Sequence, residues 1–192
     1  LNPELPEQDF KDISAAFGNY LVNGIDNRDN YYMKKVYMAC VRCIDFLTSL
    51  PDWDGKNVIV QGGSQGGALA LITAGLDKRV TACVANHPAL SDMAGYKAGR
   101  AGGYPHLFKN YKGMDKTDIL NTLEYYDVVN FARQIKVPVY MTWGYNDNTC
   151  PPTTSYIVYN ILDCPKEALI TPINEHWTSE ATEYGHLKWI QK

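Results

Sequence analysis

Residues 62 to 67 read Gly62-Gly63-Ser64-Gln65-Gly66-Gly67, and with their neighbours they restrict the fold more than any other stretch of the chain. Before them runs Asn57-Val58-Ile59-Val60-Gln61, a short apolar segment bounded by Gly on both sides, which reads as a fully buried strand. After them, Gln65 to Leu76 is rich in Gly, Ala and Leu and reads as a helix. A serine on such a strand-to-helix turn takes strained backbone angles, so the residues two before and two after it must be small. Gly62 and Gly66 meet that need. The Ser64 hydroxyl then stands clear of the sheet, and the Gln65 amide, at the helix N-terminus, can donate to developing negative charge. The G-x-G-x-x-G spacing of a dinucleotide-binding turn is absent.

The same alternation continues along the chain. Buried strands are predicted at about Thr81 to Asn86, Val137 to Trp143 and Ala168 to Thr171. Helical patterns fall at Asn30 to Leu50, Lys116 to Gln134, Thr153 to Leu162 and Ser179 to Gln191. In the first of these, Val36, Cys40, Cys43, Ile44, Leu47 and Leu50 recur at the spacing of one helix face, and Pro51 ends it. Strands alternating with helices imply an α/β fold, a mostly parallel sheet flanked by helices. The connection from Pro88 to Thr117 is long and Gly-rich, and reads as a lid-like insertion. No repeat or linker divides the 192 residues, so one domain is expected.

Composition narrows the function. Net charge is −3 with no basic run, which argues against nucleic acid and anionic membranes as partners. The apolar runs fall far short of the ~20 residues of a membrane helix, and no leader is visible at Leu1. Five scattered cysteines suit reduced thiols better than a disulfide framework, which favours the cytoplasm, or export if a leader has been removed. Cys40 and Cys43 form a C-x-x-C inside a helical pattern and are read as core packing. No His, Cys, Asp or Glu cluster has metal-ligand spacing and no phosphate-binding loop is present, so neither metal nor cofactor is expected.

A serine hydroxyl needs a base, and the base needs an acceptor that fixes its tautomer. Of four histidines, His176 lies on a polar loop after the last predicted strand; His186 falls in the final helix, His106 in the lid, and His87 just after the second strand. For the acid, Asp147 follows the third strand, with Asp92 after the second as its competitor. The order Ser64, Asp147, His176 is that of α/β-hydrolases, with each residue beyond the carboxyl end of a different strand. His87, Pro88, Trp143 and Trp177 are candidates for substrate contact, and Gln65 for the oxyanion hole.

From about Asn23 to Trp189 the chain resembles the acetyl xylan esterase and cephalosporin-C deacetylase family of α/β-hydrolases. The likeness is carried by Tyr31-Tyr32, Cys43-Ile44-Asp45-Phe46-Leu47, Ser49-Leu50-Pro51 and Gly62 through Ala70. It continues in Pro88 with Leu90-Ser91-Asp92, Leu123-Glu124-Tyr125-Tyr126-Asp127, Asn130-Phe131-Ala132, Asp147 with Cys150-Pro151-Pro152-Thr153, and the His176 loop. The resemblance implies a serine carboxylesterase that removes acetyl groups from small acetylated carbohydrates through an acyl-enzyme, and a homo-oligomer. Trp177 after His176, and Trp143, depart from the family pattern. Two rivals are a serine peptidase similar to the prolyl oligopeptidase catalytic domain, and a non-catalytic α/β-hydrolase-like module. Residues 1 to 30 show no buried strand, so the chain is expected to be the C-terminal portion of a catalytic domain, lacking its N-terminal strands or pairing with the part that supplies them.

Overall fold

The structure is a computed structural model that describes residues 6–192. Four strands, β1 (Ile59–Gly63), β2 (Ala82–Asn86), β3 (Val139–Gly144) and β4 (Lys166–Thr171), form one sheet in the order β1-β2-β3-β4, every neighbouring pair parallel. The helices are α1 (Glu7–Phe17), α2 (Tyr32–Ser49), α3 (Gln65–Leu76), α4 (Leu107–Asn110), α5 (Thr117–Tyr126), α6 (Val128–Ala132), α7 (Pro152–Ile161) and α8 (Glu180–Ile190). Among the described residues no helix is long and apolar enough to cross a membrane.

The two inner strands carry the core. Every residue of β3 is buried, as are Cys83 to Asn86 of β2, because each has a paired strand on both sides. The outer strands differ from the expectation of full burial. Residues of β1 alternate between exposed and half-buried, with Ile59 41% exposed, and β4 leaves Glu167 and Ala168 in solvent. An apolar run records side-chain character, whereas burial also depends on which strands lie alongside.

Helix α3 is buried at Gly67, Ala68, Ala70, Leu71, Ile72, Thr73 and Ala74, and its small residues allow close approach. A Cβ on Gly75 would lie 2.5 Å from the Phe131 carbonyl oxygen of α6. The buried side of α2 is Met33, Tyr37 and Ile44, while Leu47 and Leu50 are exposed. The stripe is therefore rotated from the expected one: Cys40 is half-buried, and Cys43 is exposed instead of packing in the core. All five cysteines are free.

The pattern read as one helix from Lys116 to Gln134 is two helices, broken at Asp127. Its carboxylate caps α6 by accepting the Val129 N–H (3.0 Å) and also accepts the backbone N–H groups of Asp92 (3.0 Å) and Met93 (2.8 Å). Burial pushes the Asp127 carboxyl up to about 6 against those three donors. The connection from Pro88 onward is thereby tied down. Leu90 donates its N–H to Tyr104, Gly103 donates to Asp92, and Ala89, Leu90, Met93 and Leu107 are buried. His106 reaches the Thr149 carbonyl with Nε2 at 2.9 Å, joining this connection to the loop after β3.

Candidate active site

Ser64, His87, Asp147 and His176 all follow strand ends on one edge of the sheet, the carboxyl edge where open α/β folds place their sites. Ser64 is the N-cap of α3 with φ 55° and ψ −120°, a region that side chains rarely adopt. Its backbone is held on both sides. Ser64 N–H donates to Asn86 (3.0 Å), and its carbonyl accepts the N–H groups of Ala68 (3.0 Å) and Ala89 (3.0 Å).

The tightness of this turn falls on two glycines, one of them different from the expectation. A Cβ on Gly62 would sit 2.3 Å from the Gly66 backbone carbon and oxygen, so Gly62 must lack one. A Cβ on Gly66 would meet nothing within 4 Å. Gly67 is the second constrained position, where a Cβ would stand 2.7 Å from the Asn86 carbonyl oxygen.

The Ser64 Oγ lies 2.8 Å from His176 Nε2, and His176 Nδ1 lies 2.8 Å from Asp147 Oδ2. The carboxylate can only accept, so Nδ1 carries the proton and the neutral ring offers Nε2 as acceptor to the serine hydroxyl. The other oxygen of Asp147 accepts the N–H groups of Thr149 (2.8 Å) and Cys150 (2.8 Å). Its side chain is fully buried, while that of His176 is 26% exposed, open to an incoming molecule. Asp92, the rival acid, pairs with Arg100 instead (2.7 Å).

His87 packs its ring on His176, centroids 4.3 Å apart at 46°. Burial, followed by the neighbouring His176, pulls the His87 imidazole down to about 4. His87, Asp147 and His176 are also the three groups that could converge on one cation, with ligand atoms within 4.8 Å of one another. A cation bound there would have to displace the His176–Asp147 hydrogen bond.

Gln65 begins α3, so its amide points out of the helix N-terminus beside Ser64. Its side-chain Oε1 accepts the Tyr20 hydroxyl at 2.9 Å, a contact across 45 residues for which the sequence carries no signal. Pro88 is buried under the Ser64 turn, and a Cβ on Gly67 would come within 3.3 Å of its Cα. Trp177 is 47% exposed beside His176. Trp143 corrects the expectation of a substrate contact. It is 2% exposed and packs edge-on against Tyr156 of α7 and beside Tyr159, which leaves no surface for a ligand.

Residues 6–192 match the family described as acetyl xylan esterase (AXE1). The acetyl esterase Axe7A of Xylanibacter ruminicola is 69% identical over 195 residues, covering 100% of this chain and 44% of its own length. The chain thus spans less than half the length of this curated relative. Among solved structures, an acetyl xylan esterase from Paenibacillus sp. R4 superposes with a TM-score of 0.84 at 32% identity, over 91% of this chain and 57% of the other. Acetyl xylan esterase 1 from Thermoanaerobacterium sp. JW/SL YS485 does so with a TM-score of 0.77 at 27% identity, over 90% and 56%. By its residues, its fold and the extent of the match, the chain belongs to the acetyl xylan esterase family.

Proposed function

We propose that the protein carrying this chain is a serine carboxylesterase that removes acetyl groups from small acetylated carbohydrates. The observation that carries the reading is the unbroken series from Ser64 Oγ to His176 to Asp147, each link 2.8 Å long. Ser64 Oγ attacks the acetyl carbonyl carbon as His176 Nε2 takes its proton, and the Asp147 carboxylate stabilises the imidazolium. Charge on the carbonyl oxygen is met by the Gln65 N–H. The C–O bond to the sugar then breaks, and His176 returns the proton to the departing alkoxide. Water, deprotonated by His176, hydrolyses acetyl-Ser64 and releases acetate.

The carbohydrate part of the proposal is supported by the names of the relatives. Trp177, exposed and next in sequence to His176, would offer a sugar ring an apolar face. His87 and Pro88 border the acyl side, and the connection from Pro88 to Thr117 sets leaving-group size as a lid. A homo-oligomer belongs to the same proposal. A panel of p-nitrophenyl esters of increasing acyl length, run beside peptide anilides, tests the reading on the intact protein. Acetyl esters are expected to be turned over fastest. Cleavage of the anilides instead would make it a peptidase, and a preference for octanoyl esters would overturn the deacetylase reading.

A further inference from the structure

A second polar series, buried and lying outside the triad, joins the segments that carry the nucleophile and the base. It begins at Asn86, the last residue of β2, whose backbone carbonyl accepts the Ser64 N–H at 3.0 Å. The Asn86 side chain turns the other way. Its Nδ2 donates to the hydroxyl of Thr178, two residues beyond His176 on the same loop. Its Oδ1 accepts the hydroxyl of Thr142, its register partner on β3, at 2.6 Å. The Thr142 oxygen in turn lies 2.9 Å from His186 Nε2 on α8.

The directions of these bonds follow from counting protons. Thr142 has one hydroxyl hydrogen and gives it to Asn86, so His186 must hold its proton on Nε2 and donate it to Thr142. Asn86, Thr142 and His186 are 6%, 1% and 4% exposed. Apolar side chains of the same shape could fill this space between β2, β3 and α8 at little or no cost in stability. A polar series fills it instead, and Asn86 within it bonds both segments whose separation sets the Ser64–His176 distance, its carbonyl to Ser64 and its amide to Thr178.

We infer that Asn86 is a positioning residue, which with Thr142, His186 and Thr178 holds the His176 loop in register with the Ser64 turn. This rests on the esterase reading, because a register between serine and histidine matters only where the two react together. A small displacement of such a pair, on the order of 1 Å, costs about 100-fold in rate. Loss of the bond is therefore expected in kcat, with KM for the ester nearly unchanged.

The test uses the intact protein with Thr178→Val and Thr142→Val, which delete hydroxyls while keeping shape, and Thr178→Ser and Thr142→Ser, which restore them. Thr178 lies in a half-buried loop, so its variants report even where a core substitution fails to fold. Both Val variants are expected to lose roughly 10- to 100-fold in kcat on p-nitrophenyl acetate. Their KM should stay within about twofold, and the Ser variants should recover most of the loss. Labelling of Ser64 by a fluorophosphonate should slow in parallel. Wild-type kcat in folded Thr178→Val, or an equal loss in Thr178→Ser, overturns the inference. Ser64→Ala is measured alongside. Activity that survives it overturns the triad reading and this inference with it, whereas an inactive Ser64→Ala with a fully active Thr178→Val overturns this inference alone.

Discussion

The imidazole of His87 lies against that of His176, ring centroids 4.3 Å apart, so the proposed base has a second histidine as its wall. The two differ in surroundings. His87 is buried and makes no side-chain hydrogen bond within the described residues, and its imidazole is drawn down to about 4, first by desolvation and then by His176. A histidine lowered in the folded state binds fewer protons there than in the unfolded chain, where it titrates near 6.5. Its contribution to stability is complete above about 6.5 and is lost as the pH falls toward 4. The melting temperature should therefore drop across this window, and less steeply in His87→Asn, a residue that tolerates the φ of 31° at this position. Parallel curves of Tm against pH for the two proteins would refute the assignment.

Substitution within the triad should act on the chemical step. Ser64→Ala or His176→Ala is expected to lower kcat by several orders of magnitude, up to about 10⁶-fold, because the members act as a unit. Asp147→Asn should cost about 10⁴-fold. An amide there can donate to Nδ1, which moves the ring proton to Nε2 and leaves Ser64 without an acceptor. Steady-state kinetics on p-nitrophenyl acetate checks both. Near-normal turnover in Ser64→Ala would end the proposal.

The two glycines flanking Ser64 at plus and minus two should respond oppositely. Gly62→Ala drives a methyl into the Gly66 backbone, 2.3 Å away, where no side chain can yield. It should destabilise by at least the roughly 1–3 kcal/mol typical of overpacking. Gly66→Ala meets open space in the first turn of α3, so it should be neutral or stabilise by about 0.5–1 kcal/mol through helix propensity. Chemical denaturation of the two variants decides. Equal losses would mean that the turn constrains both positions alike.

That contrast shows where a linear reading stops. The motif around Ser64 places a helix N-cap at positive φ and a buried α3 behind it, because Gly and Ala at those positions suit little else. Alternating apolar runs and helical spacing likewise locate β2 and β3, whose neighbours on both sides bury them whatever their register. Burial at the sheet edges is not legible, since Ile59 and Ala168, apolar like their buried counterparts, are exposed where no strand of the described residues lies alongside. Asp127 breaks a continuous helical period only because its carboxylate finds three backbone donors, two of them in a loop 34 or 35 residues away. Trp143 sits in an apolar run that does not say which of its neighbours it packs against, and the aromatic pair on α7 decides it. The Tyr20 and Thr178 contacts join side chains of ordinary type across 45 and 92 residues, so local pattern carries no trace of them.

The outer edge of β1 supports the last prediction. On one side Ile59 to Gly63 pair with Ala82 to Asn86, and on the other no strand of the described residues accepts or donates. The unpaired N–H and C=O groups of a strand edge are a template for another chain. Here they are accompanied by apolar surface: Ile59 is 41% exposed, and Leu47 on α2 and Leu50 just after it, 48% and 39% exposed, line the same surface depression with Trp53. Produced by itself, the 192-residue chain should therefore self-associate at micromolar concentration, the more so as salt suppresses its net charge of −3. Ile59→Lys places a charge on that edge, the device natural sheets use against edge-to-edge pairing, and should shift the population toward monomer. Sedimentation velocity of both proteins across a concentration series reads this directly. A wild-type chain that stays monomeric throughout, or an Ile59→Lys variant that associates as strongly, would show that β1 is not the contact.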